Sequence, residues 1–166
     1  MKAVAFTGNS NSGKTTLIQK LTLLLTPQKS VSIIKHDPKN KANIDTEGKD
    51  SDIFYKAGAN VAILSPIQTT FRFHHSFDLD KVIQKFGHCD YLFVEGLKEI
   101  PLPRICVARE MIDERFFPYI DAVAIDSSIS KDSIPKHLAI LNLNQPQEIL
   151  EWINANIKDY KKKKKK

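Results

Sequence analysis

The 166-residue sequence has few cysteines, few arginines and no long apolar run. Its two cysteines, Cys89 and Cys106, do not stand in a CxxC pair, which argues against a zinc site or a redox dithiol and for a reduced intracellular protein. No segment reaches the roughly 18 apolar residues that a bilayer span needs. The apolar stretch after Lys2 is also too short for a secretory signal. We therefore expect a cytoplasmic protein with no membrane partner.

Excess positive charge is confined to the C-terminal end. The formal net charge is +6, from 25 basic and 19 acidic residues, and Lys161–Lys166 contribute six of the basic ones. Residues 1–160 therefore carry equal numbers of both signs. A neutral body excludes a groove that neutralises many phosphates, so we expect no nucleic-acid partner. We predict one folded domain over residues 1–158 and a disordered, lysine-rich tail over residues 159–166.

Short β-rich segments alternate with amphipathic helical segments along the chain. The predicted strands are 3–7, 31–35, 61–64, 69–74, 91–94, 104–108, 122–125 and 138–141, and the predicted helices are 14–25, 51–57, 78–86 and a last one from Pro146. Such alternation predicts an α/β fold with a mostly parallel sheet and helices on both faces. Polar and apolar residues alternate over 69–74, which is typical of a half-exposed antiparallel strand at a sheet edge.

A glycine-rich loop follows the first predicted strand. Residues 8–15 are GNSNSGKT, which fits the phosphate-loop motif GxxxxGK[ST] between a strand and a helix. Gly8 and Gly13 permit backbone conformations that turn successive N–H groups towards one anion at the positive end of the helix. Lys14 adds a charge for the β- and γ-phosphates, and the Thr15 hydroxyl is a magnesium ligand. The sequence therefore predicts a single nucleotide-binding domain of the P-loop NTPase type.

Two further residues extend this predicted site. Thr16 is expected to reach the α-phosphate. Glu95 ends the apolar strand 91–94 and is expected at the same carboxyl edge of the sheet as the loop, where it would complete a magnesium site with Thr15. The alternative is that Glu95 is a solvated carboxylate at a strand end.

The polar segment from Lys35 to Ser51 holds many titratable groups in few residues. A loop of this kind can order around a γ-phosphate, as switch segments do. Alternatively, it is an ordinary charged surface loop in which Asp50 or Ser51 caps the following helix. The residues alone leave both interpretations open.

Five motifs together resemble those of the MobB family, the molybdopterin-guanine dinucleotide biosynthesis adaptor proteins. They are the phosphate loop, Lys35–His36, DxxGKDS at 45–51, AGA at 57–59 and VEGxK at 94–98. The resemblance covers residues 1–109 by motif and the remainder by the order of strands and helices. It implies a homodimeric protein that binds GTP with Mg²⁺, has weak GTPase activity, and works beside the molybdenum cofactor guanylyl transferase and molybdopterin-handling proteins.

The resemblance also implies roles for particular residues. Phosphate contacts fall on Gly8, Asn11, Ser12, Gly13, Lys14 and Thr15. Thr15 and Glu95 become the magnesium pair. Our own prediction for the catalytic residues is Asp45 and Glu95. The family's signature loop, without individual roles, falls on Lys35, His36, Gly48, Lys49, Asp50 and Ser51.

Two alternatives to the adaptor function remain. The chain has no NKxD motif, so the choice of GTP over ATP rests on the resemblance alone. A small-molecule kinase that transfers the γ-phosphoryl group of ATP would use Asp45 or Asp50 as its base, yet the four arginines are not clustered as in a phosphate-covering lid. A partner-binding domain with a vestigial nucleotide site is disfavoured by the intact Lys14–Thr15 pair.

Because no glutamine or arginine finger can be assigned, we expect any hydrolysis to be slow.

Overall fold

The computed structural model describes residues 1–97 and 100–160 of the chain. Lys98, part of the last family-like motif, and the lysine run 161–166 lie outside the described residues. The elements are β1 (Lys2–Thr7), α1 (Lys14–Leu25), β2 (Val31–Lys35), α2 (Asp50–Lys56), β3 (Val61–Leu64), β4 (Thr69–Arg72), α3 (Leu79–Phe86), β5 (Tyr91–Glu95), β6 (Arg104–Ala108), β7 (Ala122–Ile125), β8 (Ala139–Asn142) and α4 (Pro146–Asn156). Two 3-10 segments lie at Glu114–Tyr119 and Lys131–Ser133.

Six strands form one parallel sheet in the order β2-β5-β1-β6-β7-β8. The central strands β1, β5, β6 and β7 are buried along almost their whole length, which explains their continuous apolar sequences. Because all six strands run the same way, their carboxyl ends lie at one edge of the sheet. The predicted parallel α/β fold is confirmed.

The core lies on both faces of this sheet. On one face, α1 and α4 pack against side chains such as Phe6 and Phe93, whose rings meet edge to face at a centroid distance of 5.6 Å. Alternate residues of β6 and β7, including Val123, join a second cluster with the segment from Ile112 to Leu138. Leu24, at the margin of the apolar stripe of α1, is 46% exposed.

The described chain divides into two compact units, whereas we predicted one domain over residues 1–158. The first unit comprises Met1–His36 and the chain from Phe86 onwards, and contains the parallel sheet. The second unit is Asp37–Lys85. Within it, β3 and β4 pair antiparallel as a separate two-stranded sheet. The antiparallel strand predicted at 69–74 is thus present, but it pairs with its neighbour in sequence because the short turn closed by Ser65 N–H and Gln68 O allows direct hairpin pairing.

The end of the described chain is paired with its beginning. Asp159 forms a bridge with Lys2, and the Tyr160 N–H donates to the Met1 carbonyl at 2.8 Å. Asp159 and Tyr160, which we predicted as the start of a disordered tail, are held here by these backbone contacts, and the Met1 amino group also pairs with the Asp159 carboxylate at 3.2 Å. Among the described helices, none is long and apolar enough to cross a bilayer.

Candidate functional site

The phosphate loop lies at the carboxyl edge of the sheet, between β1 and α1. Gly8 has φ +133°, and a Cβ at this position would lie 2.1 Å from the Val107 carbonyl oxygen. Gly13, with φ +97°, is the N-cap residue of α1, and Asn11 also has a positive φ of 63°. The loop thus uses left-handed backbone at the positions where the motif predicts glycine, and it ends at a helix N-terminus, where anions are favoured.

The Lys14 side chain folds back over this loop. Its Nζ donates to the Asn9 carbonyl at 2.6 Å and to the Gly8 carbonyl at 3.2 Å, and lies 3.5 Å from the Ser12 hydroxyl. Partial burial lowers the pKa of Lys14, and the nearby Glu95 carboxylate opposes that shift. The ammonium group is therefore held at the loop, where it can exchange backbone carbonyls for phosphate oxygens.

The Thr15 hydroxyl and the Glu95 carboxylate meet across the strand ends. Thr15 Oγ1 lies 3.1 Å and 3.3 Å from the two carboxylate oxygens. Glu95 reaches this position because β5 is the direct neighbour of β1 and its last residue pairs in register with Phe6. Hydroxyl and carboxylate oxygens are the ligand types that Mg²⁺ prefers. The structure brings together the two residues predicted as a magnesium pair; their metal role stays a prediction.

Part of the predicted signature set adjoins Glu95. Lys35, the last residue of β2, pairs in register with Glu95, and the His36 N–H donates to the Glu95 carbonyl at 2.9 Å. Gly96 has φ +89°, and a Cβ there would lie 3.0 Å from the His36 Cβ. Lys35 and His36 are therefore part of the same sheet edge as the phosphate loop. Thr16, in the first turn of α1, is exposed.

The rest of the signature set lies in the second unit, where it forms its own hydrogen-bond network. The Ser51 hydroxyl donates to the Asp45 carboxylate at 3.0 Å, and Arg72 Nη1 donates to its other oxygen at 2.7 Å. These two contacts, in that order, hold the pKa of Asp45 below its ordinary value. The catalytic role predicted for Asp45 stays a prediction, and the carboxylate is part of a structural ion pair.

The cap of α2 differs from the predicted one. Lys49 occupies the N-cap position, with Asp50 as the first helical residue, and no side chain caps the helix. Ser51 is not the cap because its hydroxyl is directed to Asp45 instead. The Gly48 N–H donates to the Asp52 carboxylate at 3.0 Å. A side chain from the first turn of α2 therefore closes the turn that precedes the helix.

Arg72 organises this cluster. Its guanidinium carbon lies 3.9 Å from the centroid of the Tyr55 ring, and Nη1 also lies 3.5 Å from the Asp52 carboxylate. Lys56 Nζ approaches the other Asp52 oxygen at 2.9 Å. The same residues line an open, polar cavity of about 540 Å³ within the second unit.

Arg109 and Asp126 also lie at this edge of the sheet and were not predicted as site residues from the sequence. A Cβ on Gly13 would lie 3.4 Å from Arg109 Nε, so this arginine stands directly beside the phosphate loop. Its Nη1 lies 3.3 Å from the Asp126 carboxylate, and its Nη2 donates to the Asn144 side-chain oxygen at 3.4 Å. No local motif marks these residues. The sequence did contain one signal: Arg109 directly follows the predicted strand 104–108 and Asp126 the predicted strand 122–125, and parallel strands bring their carboxyl ends to one edge of the sheet.

The geometry defines the class of protein. A phosphate loop joins the first strand to a helix, and a carboxylate on the adjacent parallel strand contacts the threonine that ends the motif. This is the P-loop NTPase fold. The family model for MobB, "Molybdopterin guanine dinucleotide synthesis protein B", matches residues 3–127. The chain belongs to the MobB family.

Relatives and solved structures agree with this assignment. The molybdopterin-guanine dinucleotide biosynthesis adapter protein of Haemophilus influenzae is 31% identical over 159 residues, covering 90% of this chain and 86% of that protein. A probable adapter protein of the same name from Bacillus subtilis is 31% identical over 129 residues, covering 74% and 73%. The crystal structure of Bacillus subtilis MobB shares the fold, with a TM-score of 0.75 at 22% identity and coverage of 96% of this chain and 100% of that one.

Proposed function

We propose that this protein is an adapter in molybdopterin guanine dinucleotide biosynthesis that binds GTP with Mg²⁺ at its phosphate loop. The adapter role follows from membership of the MobB family and from the names of its relatives. In this proposal the protein acts as a cytoplasmic homodimer beside the guanylyl transferase and molybdopterin-handling proteins. The nucleotide serves as a switch or a delivered ligand and is hydrolysed slowly.

The observation that carries the nucleotide proposal is the contact between Thr15 Oγ1 and the Glu95 carboxylate, at 3.1 Å, beside the Lys14 ammonium. Thr15 would ligate Mg²⁺ directly, and Glu95 would hold it directly or through water. The ion would neutralise charge on the β- and γ-phosphates that Lys14 also contacts. These residues fit the ion by their chemistry, because both offer hard oxygen ligands within one small volume.

We expect slow hydrolysis from the residues that lie beside the Thr15–Glu95 pair. Fast phosphoryl transfer to water needs a group that orients the water and a cation that offsets transition-state charge. Lys35 and His36 are the further signature residues adjoining Glu95 in the described structure, and neither is a glutamine that could orient the water. The arginine beside the loop, Arg109, follows β6, on the side of β1 away from Glu95. We therefore propose at most a weak GTPase.

Calorimetric titration of GTP and ATP, each with and without Mg²⁺, tests the proposal. We expect tighter binding of GTP than of ATP, and stronger binding with Mg²⁺. Lys14→Ala should abolish triphosphate binding without unfolding the protein. Lys20→Ala, which removes an exposed lysine from the same helix, is the matched control. Retained binding in Lys14→Ala would show that the nucleotide binds elsewhere.

Substitution of the carboxylate tests the metal site separately. Glu95→Gln should reduce the gain in affinity that Mg²⁺ provides while leaving metal-free binding unchanged or stronger, because a negative charge near the phosphates is removed. Glu151→Gln, on the exposed face of α4, is the control for the charge change. An unchanged Mg²⁺ effect in Glu95→Gln would contradict the assignment of Glu95.

The kinase alternative is not favoured. One of its two candidate bases, Asp45, accepts hydrogen bonds from Ser51 and Arg72 that lower its pKa. A general base with a lowered pKa is a weaker proton acceptor. A preference for ATP together with turnover on addition of a metabolite acceptor would reverse this choice.

A further inference from the structure

The phosphate loop has two unlike sides because its strand, β1, lies between β5 and β6. On the β5 side, Thr15 contacts Glu95. If these residues hold Mg²⁺, the β- and γ-phosphates lie towards β5, since the ion bridges those oxygens. The α-phosphate and the nucleoside must then extend towards the other side, over the carboxyl ends of β6, β7 and β8.

Arg109 is the cationic side chain next to the loop on that second side. It directly follows β6, and its Nε lies 3.4 Å from where a Cβ on Gly13 would stand. Gly13 is the residue from which α1 begins, so the guanidinium group lies at the positive end of the helix. Two groups of like sign are brought together here, an arrangement that an anion would stabilise.

Residues at the ends of the next two strands hold Arg109 in place. Asp126, after β7, pairs with Nη1 at 3.3 Å, and Asn144, two residues after β8, accepts from Nη2 at 3.4 Å. The backbone is fixed as well, because the Glu110 N–H donates to the Ser128 hydroxyl at 2.7 Å, and Ser128 in turn donates to Asp126. The guanidinium orientation is therefore set by three neighbouring segments.

The arginine keeps donors for a ligand. A guanidinium has five N–H donors, and the contacts to Asp126 and Asn144 engage Nη1 and Nη2 once each. Nε lies beside Gly13 of the phosphate loop, and the side chain is 45% exposed. Guanidinium donors close to the start of a helix suit the oxygens of a phosphate, which they bind by charge-assisted hydrogen bonds.

We propose that Arg109 binds the α-phosphate of the nucleotide and that Asp126 and Asn144 are its positioning residues. This inference rests on the proposed nucleotide-binding function. It assigns a contact to a residue outside every motif of the sequence.

Titration of GTP and GDP into Arg109 variants tests the contact. Arg109→Ala should weaken both nucleotides about tenfold and by the same factor, because both carry the α-phosphate and a charge-assisted hydrogen bond is lost. Arg109→Lys should recover part of the loss, since lysine restores the charge without the fork of donors. Arg115→Ala is the control, because Arg115 forms a similar pair with Asp113 at 2.6 Å but is 89% exposed.

The positioning roles are tested by a double-mutant cycle. Asp126→Asn should weaken both nucleotides about threefold in the natural background. In Arg109→Ala it should leave binding unchanged or stronger, because Asp126 then has no guanidinium to orient and only adds a negative charge near the phosphates. A purely structural role of Asp126 would give the same loss in both backgrounds. If Arg109→Ala lowers the melting temperature more than Arg115→Ala does, the titrations and the cycle use Arg109→Gln in place of Arg109→Ala.

Three outcomes would overturn the inference. Unchanged affinities in Arg109→Ala exclude the contact, and a loss for GTP alone places Arg109 at the γ-phosphate instead. Equal losses from Asp126→Asn in both backgrounds exclude its positioning role. Failure of the proposed function gives a different result: the unaltered protein binds no nucleotide, or Lys14→Ala binds as well as Lys20→Ala does, and the Arg109 assignment then falls with it.

Discussion

Gly8 is the residue at which the phosphate loop tolerates substitution least. Its φ of +133° is strained for any residue with a side chain, and a Cβ would lie 2.1 Å from the Val107 carbonyl oxygen. That oxygen belongs to a central strand and cannot move aside. We expect Gly8→Ala to destabilise the fold by at least about 2 kcal/mol and to abolish nucleotide binding.

Urea unfolding of Gly8→Ala beside Gly87→Ala, in the same unit, measures this effect. Gly87 has a positive φ of 70°, but a Cβ there would meet no atom within 4 Å. The control therefore contains the backbone strain without the collision. Equal losses of unfolding free energy in the two variants would show that the carbonyl is not the limiting contact.

At the scale of single elements, α1 is held by a narrow apolar stripe. Leu21 is fully buried between the helix and the sheet, whereas Leu24, three residues later, is 46% exposed. We expect Leu21→Ala to cost about 2–5 kcal/mol of unfolding free energy because it leaves a cavity. Leu24→Ala, the same chemical change on the same helix, should cost less than about 1 kcal/mol. Chemical denaturation followed by Trp152 fluorescence checks both, and equal losses would contradict the burial pattern.

The ion pairs of Arg72 with Asp45 and Asp52, here called the Arg72 cluster, make the stability of the second unit depend on pH. Asp45 has a lowered pKa because of hydrogen bonds from Ser51 and Arg72, and Asp52 because of hydrogen bonds from the Gly48 N–H, Lys56 and Arg72. Their ionised forms therefore stabilise the folded state. This stability is present above the ordinary carboxyl pKa of about 3.9 and is lost as the pH falls through the folded values.

Carboxyl titration by NMR in the Arg72→Gln variant tests this cluster. The pKa of Asp45 and Asp52 should rise towards the ordinary value, since one donor and one positive charge are removed from each. The pKa of Asp90 is lowered by Ser30 rather than by arginine, so it should not change. A rise at Asp90, or no rise at Asp45, would contradict the assigned causes.

For the whole molecule, burial differs sharply between the two units. The parallel-sheet unit contains the two apolar clusters of the core. Within residues 37–85, all of which the structure describes, Ile83 and Asp52 are the buried residues. Few buried apolar contacts mean a low local unfolding free energy. We expect amides of residues 37–85 to exchange hydrogen at least about tenfold faster than amides of β1, β5 and β6.

Hydrogen exchange followed by mass spectrometry, at several protein concentrations, checks this expectation. Concentration matters because an apolar surface that is covered in a homodimer would become protected as the dimer forms. Ile67, Leu64 and Phe71 in this unit have exposed apolar side chains, and the exchange rates of their backbone amides would report such a surface. Uniform protection of both units at the lowest concentration would contradict the difference in stability.

Local features of the chain were predictable from the sequence. The limits of α1, β2, β6 and β7 agree with the prediction, because hydrophobic periodicity and glycine positions act over a few residues. The phosphate loop was predictable for the same reason. The meeting of Glu95 with Thr15 was also predictable, since parallel strands bring their carboxyl ends to one edge.

Other features needed the tertiary structure. The hairpin pairing of β3 with β4 and the exposure of Leu24 depend on which surfaces are nearby, and the apolar pattern of a short segment does not specify its partner. The neighbours of Arg109 are distant in sequence: Gly13 precedes it by 96 positions, and Asp126 and Asn144 follow at 17 and 35.

The sequence by itself determined the strand–loop–helix unit that carries the phosphate-loop motif, because its glycines, lysine and threonine lie within eight consecutive residues. The tertiary structure decided what surrounds that unit. Strand order alone places β5 with its carboxylate on one side of the loop and β6 with its arginine on the other. Packing of the sheet sets that order, and it leaves no local trace in the chain.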